Sequence, residues 1–93
     1  MQSEVKTIRD GCVVEKFDMP ELNGFQLIYR FDNGYGASLI RHDMSYGGDE
    51  GLYEIAVLDS SGELCYDTPI TDDVVGHLTM VDADIILAEI AEL

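Results

Sequence analysis

An α+β domain is the fold class this chain predicts, and three observations carry the prediction. Asp10-Gly11 and Asp32-Asn33-Gly34 each sit between runs that alternate apolar and polar residues, and turns of that composition join antiparallel strands. After Pro69 the hydrophobic period lengthens from two residues to about 3.6. Finally, 93 residues with 46% apolar content suffice for one modest core and not for two. The expectation is a single domain over 1–93, with five or six antiparallel strands in hairpin order. A short helix and a C-terminal helix follow, the latter packed on one face of the sheet.

The first hairpin takes 4–9 and 12–17 as its strands, because both residues of Asp10-Gly11 tolerate positive φ. DMPELNG reads as a loop, broken by Pro20 and Asn23-Gly24. FQLIYRF puts Phe25, Leu27, Tyr29 and Phe31 on one face, with Gln26, Ile28 and Arg30 on the other. The next turn returns the chain into YGASLIR, where Tyr35, Ala37 and Leu39 share a face. LYEIAVL, residues 52–58, is apolar except at Glu54, as an interior strand covered on both faces would be. DSSGE then leads into a short strand over 64–66.

Thr71 ahead of Asp72 and Asp73 reads as a helix start: the hydroxyl caps free N–H groups and the acids suit the positive end of the dipole. Gly76 keeps that helix short. Thr79-Met80-Val81-Asp82 spells a capping box before a final helix over about 80–92. Ala83, Ile86, Leu87, Ile90, Ala91 and Leu93 cover its core side, and Asp82, Asp84, Glu89 and Glu92 the other. Val81 and Ile85 fall among those acids, either at the edge of the core or as a second contact.

Charge restricts function more than any motif does. The net charge is −14, and all five bases (Lys6, Arg9, Lys16, Arg30, Arg41) lie in residues 1–41 with six acids. Residues 42–93 hold thirteen acids and no Lys or Arg. Such a half-chain repels nucleic acid and anionic membranes, whose binding rests on Lys and Arg. It suits a basic partner or a cation, or it serves solubility alone. No apolar run approaches the roughly 20 residues of a membrane span and no leader pattern opens the chain, so a soluble, cytoplasmic protein is expected. Cys12 and Cys65 lack metal-ligand spacing and read as reduced thiols, with a single bridge between them as the alternative.

SYGGDEG, residues 45–51, is one letter from the GGDEF signature of cyclases that build cyclic dinucleotides. Those domains are much longer, and they need further metal-binding acids and phosphate-binding bases, whereas this chain has no base after Arg41. A hairpin loop therefore explains the stretch, Gly47 and Gly48 supplying positive φ and Asp49 and Glu50 solvating the tip. A cation site at Asp43, Asp49 and Glu50 is the alternative, although the spacing is not that of an EF-hand. His42 and His77 are far apart, the serines lack a nucleophile elbow, and Asp72-Asp73 is accounted for by the dipole. No cofactor and no enzymatic activity are expected.

YGASLIRHDMSYGGDEGLYEIAVLD and YDTPITDDVVGHLT resemble segments of small acidic proteins encoded by phages and prophages of Gram-positive bacteria, over residues 25–93. The shared features are turns and caps, not catalytic signatures. The resemblance implies a protein that binds and blocks host machinery, including nucleic-acid-binding defence enzymes. The functional expectation is thus an acidic inhibitor that covers the basic surface of such a partner, carboxylates standing in for phosphates. The alternatives are a small metal-binding or enzymatic domain centred on 43–50 and a phage accessory or assembly protein. Helix capping accounts for Asp72, Asp73 and Asp82, which leaves Asp43, Asp49, Glu50, Asp84, Glu89 and Glu92 as the partner-binding acids, with Tyr46 as an aromatic anchor.

Overall fold

Alternating side chains make a pleat, and consecutive turns lay the strands side by side in chain order. The computed structural model describes residues 13–44, 50–65, 68 and 74–93. Its sheet contains β1 (Val13–Met19), β2 (Gly24–Arg30), β3 (Gly36–Arg41), β4 (Tyr53–Leu58) and β5 (Val75–Leu78), all antiparallel and in the order β1-β2-β3-β4-β5. Helix α1 (Met80–Ala91) follows and packs against β3, β4 and β5. The strands 4–9, the Asp10-Gly11 turn, Cys12, Tyr46, Asp49 and Thr71 to Asp73 lie outside the described residues.

The turns explain the register. Pro20 opens a 3-10 turn over Pro20–Leu22, and Asn23, at φ 56°, donates its N–H to the Pro20 carbonyl at 3.2 Å. Gly24 must be glycine, since a Cβ there would collide with the Arg41 carbonyl oxygen and with His42. Between β2 and β3 the Asn33 side chain accepts from the Tyr35 N–H at 2.9 Å. Its amide nitrogen also donates to the Ile90 and Leu93 carbonyls, at 2.8 and 3.3 Å, and so adds a tertiary tie at the end of α1, where the Ile90 carbonyl already accepts from the Leu93 N–H. Asp59 folds the next turn by accepting from the Ser61 and Glu63 N–H groups.

Cross-strand partners share a face, so the register Tyr29–Ala37–Val57 and Leu27–Leu39–Ile55 assembles the core directly. Tyr29, Ala37, Leu39, Tyr53, Ile55 and Val57 join Phe31, Leu78, Ala83, Leu87 and Ile90 in one cluster, with Phe25, Leu27, Tyr35 and Ile86 packed on its margin. On the opposite face Gln26 donates to Ser38 at 2.8 Å, while Ala56 and Leu58 are buried there as well. The all-but-continuous burial of β4 is the pattern expected of an interior strand.

Three expected elements are corrected. Val75–Leu78 is not the end of a short helix but the edge strand β5, pairing Tyr53 with Leu78 and Ile55 with Val75. Valine and glycine are poor helix formers, and β4 offers this segment a ladder of backbone partners that buries Leu78. The break in register between Tyr53 and Ile55, with His77 at φ 57°, marks a bulge. The strand expected over 64–66 is, among the described residues, a lone bridge from Leu64 to Leu58, with the Cys65 N–H donating to Val57 at 2.8 Å. Asp18 and Met19, read as loop, belong to β1, which opens with a register shift between Val13 and Glu15.

Candidate protein interface

The antiparallel meander fixes where each acid goes. β3 ends and β4 begins at one end of the sheet, where Leu78 opposite Tyr53 also brings α1 to its start. The exposed Asp43 is held there: its N–H donates to the Leu22 carbonyl at 2.8 Å, and its carboxylate accepts from Asn23 at 3.2 Å. Glu50, also exposed, precedes β4 at the same end. Twelve residues of helix carry the chain roughly 18 Å to the other end, where Glu89 and Glu92 stand exposed beside the Asn33 turn. Asp84 is half-buried and engaged in an interaction within the chain. The exposed acids of the expected surface, among the described residues, therefore form two groups, Asp43 with Glu50 and Glu89 with Glu92, and not one patch.

Capping follows the sequence at the first turn and opposes it at the last. Thr79, extended at φ −72° and ψ 169°, accepts from the Asp82 N–H at 3.1 Å. The last turn contains no base, so Glu89 and Glu92 lie against the negative end of the helix dipole. Among the described residues neither forms an ion pair, whereas in the first half Lys16 sits 3.7 Å from Asp18.

Sequence reasoning passed over two features. Ile85, Ala88, Glu89 and Glu92 line an open groove of about 410 Å³ on the solvent side of α1. The only sequence signal for it was the presence of Val81 and Ile85 among the acids. At the start of the helix, the Arg41 guanidinium lies 5.2 Å from the Phe25 ring centre and 5.4 Å from that of Tyr53. Register alone makes this stack, since Phe25 pairs with Arg41 and Tyr53 follows on β4. It closes the end of the core with a cation held by two aromatic faces, a contact worth about 0.5–2 kcal/mol.

A hollow of about 270 Å³ at the opposite end is lined by Asn33, Gly34, Tyr35, Asp59, Ser60 and Cys65. Asn33 and Asp59 already serve the adjoining turns and the helix end. Among the described residues no three His, Cys, Asp or Glu side chains gather to hold a metal ion, and no helix is long and apolar enough to cross a membrane. No protein-family model, curated protein or solved structure matches this chain.

Proposed function

We propose that the protein is a small acidic binding module, an inhibitor of the kind phages use, that covers the basic nucleic-acid-binding surface of a host protein. The observation that carries the reading is the position of Glu89 and Glu92. Two exposed carboxylates in the last helical turn oppose the dipole and lack a basic neighbour in that turn, so helix stability does not account for them. In this reading the two carboxylates serve a contact with the partner and not the helix end. Thirteen acids without a base over residues 42–93 extend the same field, which steers a basic partner and repels nucleic acid from the module itself.

A partner retained from host lysate provides the test. Its affinity for the parent is compared with that for a variant carrying Asn or Gln at Asp43, Asp49, Glu50, Asp84, Glu89 and Glu92, at two salt concentrations. The parent should bind less tightly as salt rises, since exposed charges are screened within about 8 Å at physiological ionic strength. Nucleic acid should compete for the same partner. A folded variant with unchanged affinity and unchanged salt dependence would sink the proposal.

A further inference from the structure

Helix α1 is apolar on two opposite sides, and the sheet uses one of them. At about 100° per residue, Val81, Ile85, Ala88 and Glu92 fall within an arc of roughly 60° that lies opposite Ala83, Leu87 and Ile90. The inner three are 0% exposed, while Val81 and Ile85 are 67% and 52% exposed. Val81 and Ile85 are therefore large apolar residues that the contact with the sheet leaves exposed, between flanking acids. Among the described elements, the helix packs against the sheet on the inner side.

The outer row steps by four, three and four residues, from 81 to 85 to 88 to the C-cap Glu92, so Val81, Ile85 and Ala88 lie in one line along the helix. Ala88 is small enough to admit a close neighbour, and the groove between Ile85, Ala88, Glu89 and Glu92 runs beside it. Asp82 and Glu89 flank the row on one side and Asp84 on the other, with no Lys or Arg on the helix. We propose that this seam docks a basic amphipathic α-helix of the partner, its aliphatic residues over Val81, Ile85 and Ala88 and its Lys or Arg residues over Asp82, Glu89 and Glu92. Charge complementarity selects that occupant. A second copy of this chain would set the same acids against each other, and an anionic membrane would be repelled. The helical form follows from the i, i+4, i+7 placement of the apolar residues along a straight line of roughly 10 Å, extended to roughly 16 Å at Glu92, as an amphipathic helix would contact them.

The inference rests on the acidic-module reading, and the experiment separates the two. Two synthetic peptides of identical composition are titrated into the isotope-labelled full chain at low and high salt. One places Leu at heptad a and d positions with Lys at e and g, and the other is the scrambled sequence. The ordered peptide should bind at least about tenfold more tightly than the scrambled one, with amide shifts centred on Val81, Ile85 and Ala88. Val81→Ser with Ile85→Ser should reduce its affinity to the scrambled level and leave the salt dependence in place. Equal binding of both peptides, or shifts centred elsewhere, would overturn the seam while leaving the acidic reading intact. If neither peptide binds at low salt, both readings fall. A concentration-dependent dimer abolished by Ile85→Ser would make the occupant a second copy and overturn the proposal. Shift mapping on the parent decides the matter even where the double variant does not fold.

Discussion

Leu87 and Ile85 are two residues apart on one helix, nearly alike in chemistry, yet one is 0% and the other 52% exposed. Leu87 faces the sheet beside Ile90 and Ala83, and Ile85 faces the opposite way, into the groove with Glu89 and Glu92. Burial here is decided by which element covers a position and not by the side chain's own hydropathy. The inner side of α1 is therefore where the fold is held, and on the outer side Val81 and Ile85 remain largely exposed.

The largest expected effect tests that contrast directly. Leu87→Ala should destabilise by about 2–5 kcal/mol, because it deletes a fully enclosed aliphatic side chain and leaves a cavity, whereas Ile85→Ala should stay within about 0.5 kcal/mol of the parent. Chemical denaturation of both variants measures the difference. Comparable losses would mean that the two sides of α1 are not distinct.

Intermediate effects belong to the ends of the helix. Thr79→Ala removes the acceptor for the Asp82 N–H and should cost about 1 kcal/mol. Asn33→Ala strips the Ile90 and Leu93 carbonyls of their side-chain donor and should cost about 0.5–1.5 kcal/mol. Hydrogen exchange sharpens the comparison: Thr79→Ala should speed exchange in the first turn and Asn33→Ala in the last. A uniform loss of protection along α1 in both variants would show that the ends are not separately held.

The smallest effect carries the opposite sign. Glu89→Gln with Glu92→Gln removes charge from the negative end of the dipole and should raise stability by about 0.3–1 kcal/mol at low salt. The same variant should bind a basic partner more weakly. A loss of stability instead would mean that the two carboxylates serve the fold, which would remove the main support for their role in recognition.

Legibility in the sequence followed the range of the interactions concerned. The alternation in FQLIYRF and YGASLIR gave the faces of β2 and β3, and Thr79 to Asp82 marked the start of α1, because turns and caps act over a few residues. Val75–Leu78 was misread for the converse reason: the acids and Thr71 suggested a local helix, while the decisive partner, β4, lies about twenty residues earlier in the chain. The expected acids were identified by elimination, which cannot show that Asp43 stands at one end of the sheet and Glu89 at the other.

By itself the sequence determined the antiparallel hairpin order, the interior status of β4, the C-terminal helix with its capped start, and a net charge of −14 with no Lys or Arg after residue 41. Each depends on period, local capping or composition, which neighbouring residues fix without reference to the rest of the chain. Tertiary structure alone decided that residues 75–78 complete the sheet, that Arg41 lies between Phe25 and Tyr53, that Asn33 ties off a helix some sixty residues away, and that the Val81 and Ile85 side of α1 remains uncovered. Those outcomes depend on strand register and on how far a five-stranded sheet can reach around one helix, and non-local pairing of that kind leaves no periodic trace in the residues that take part.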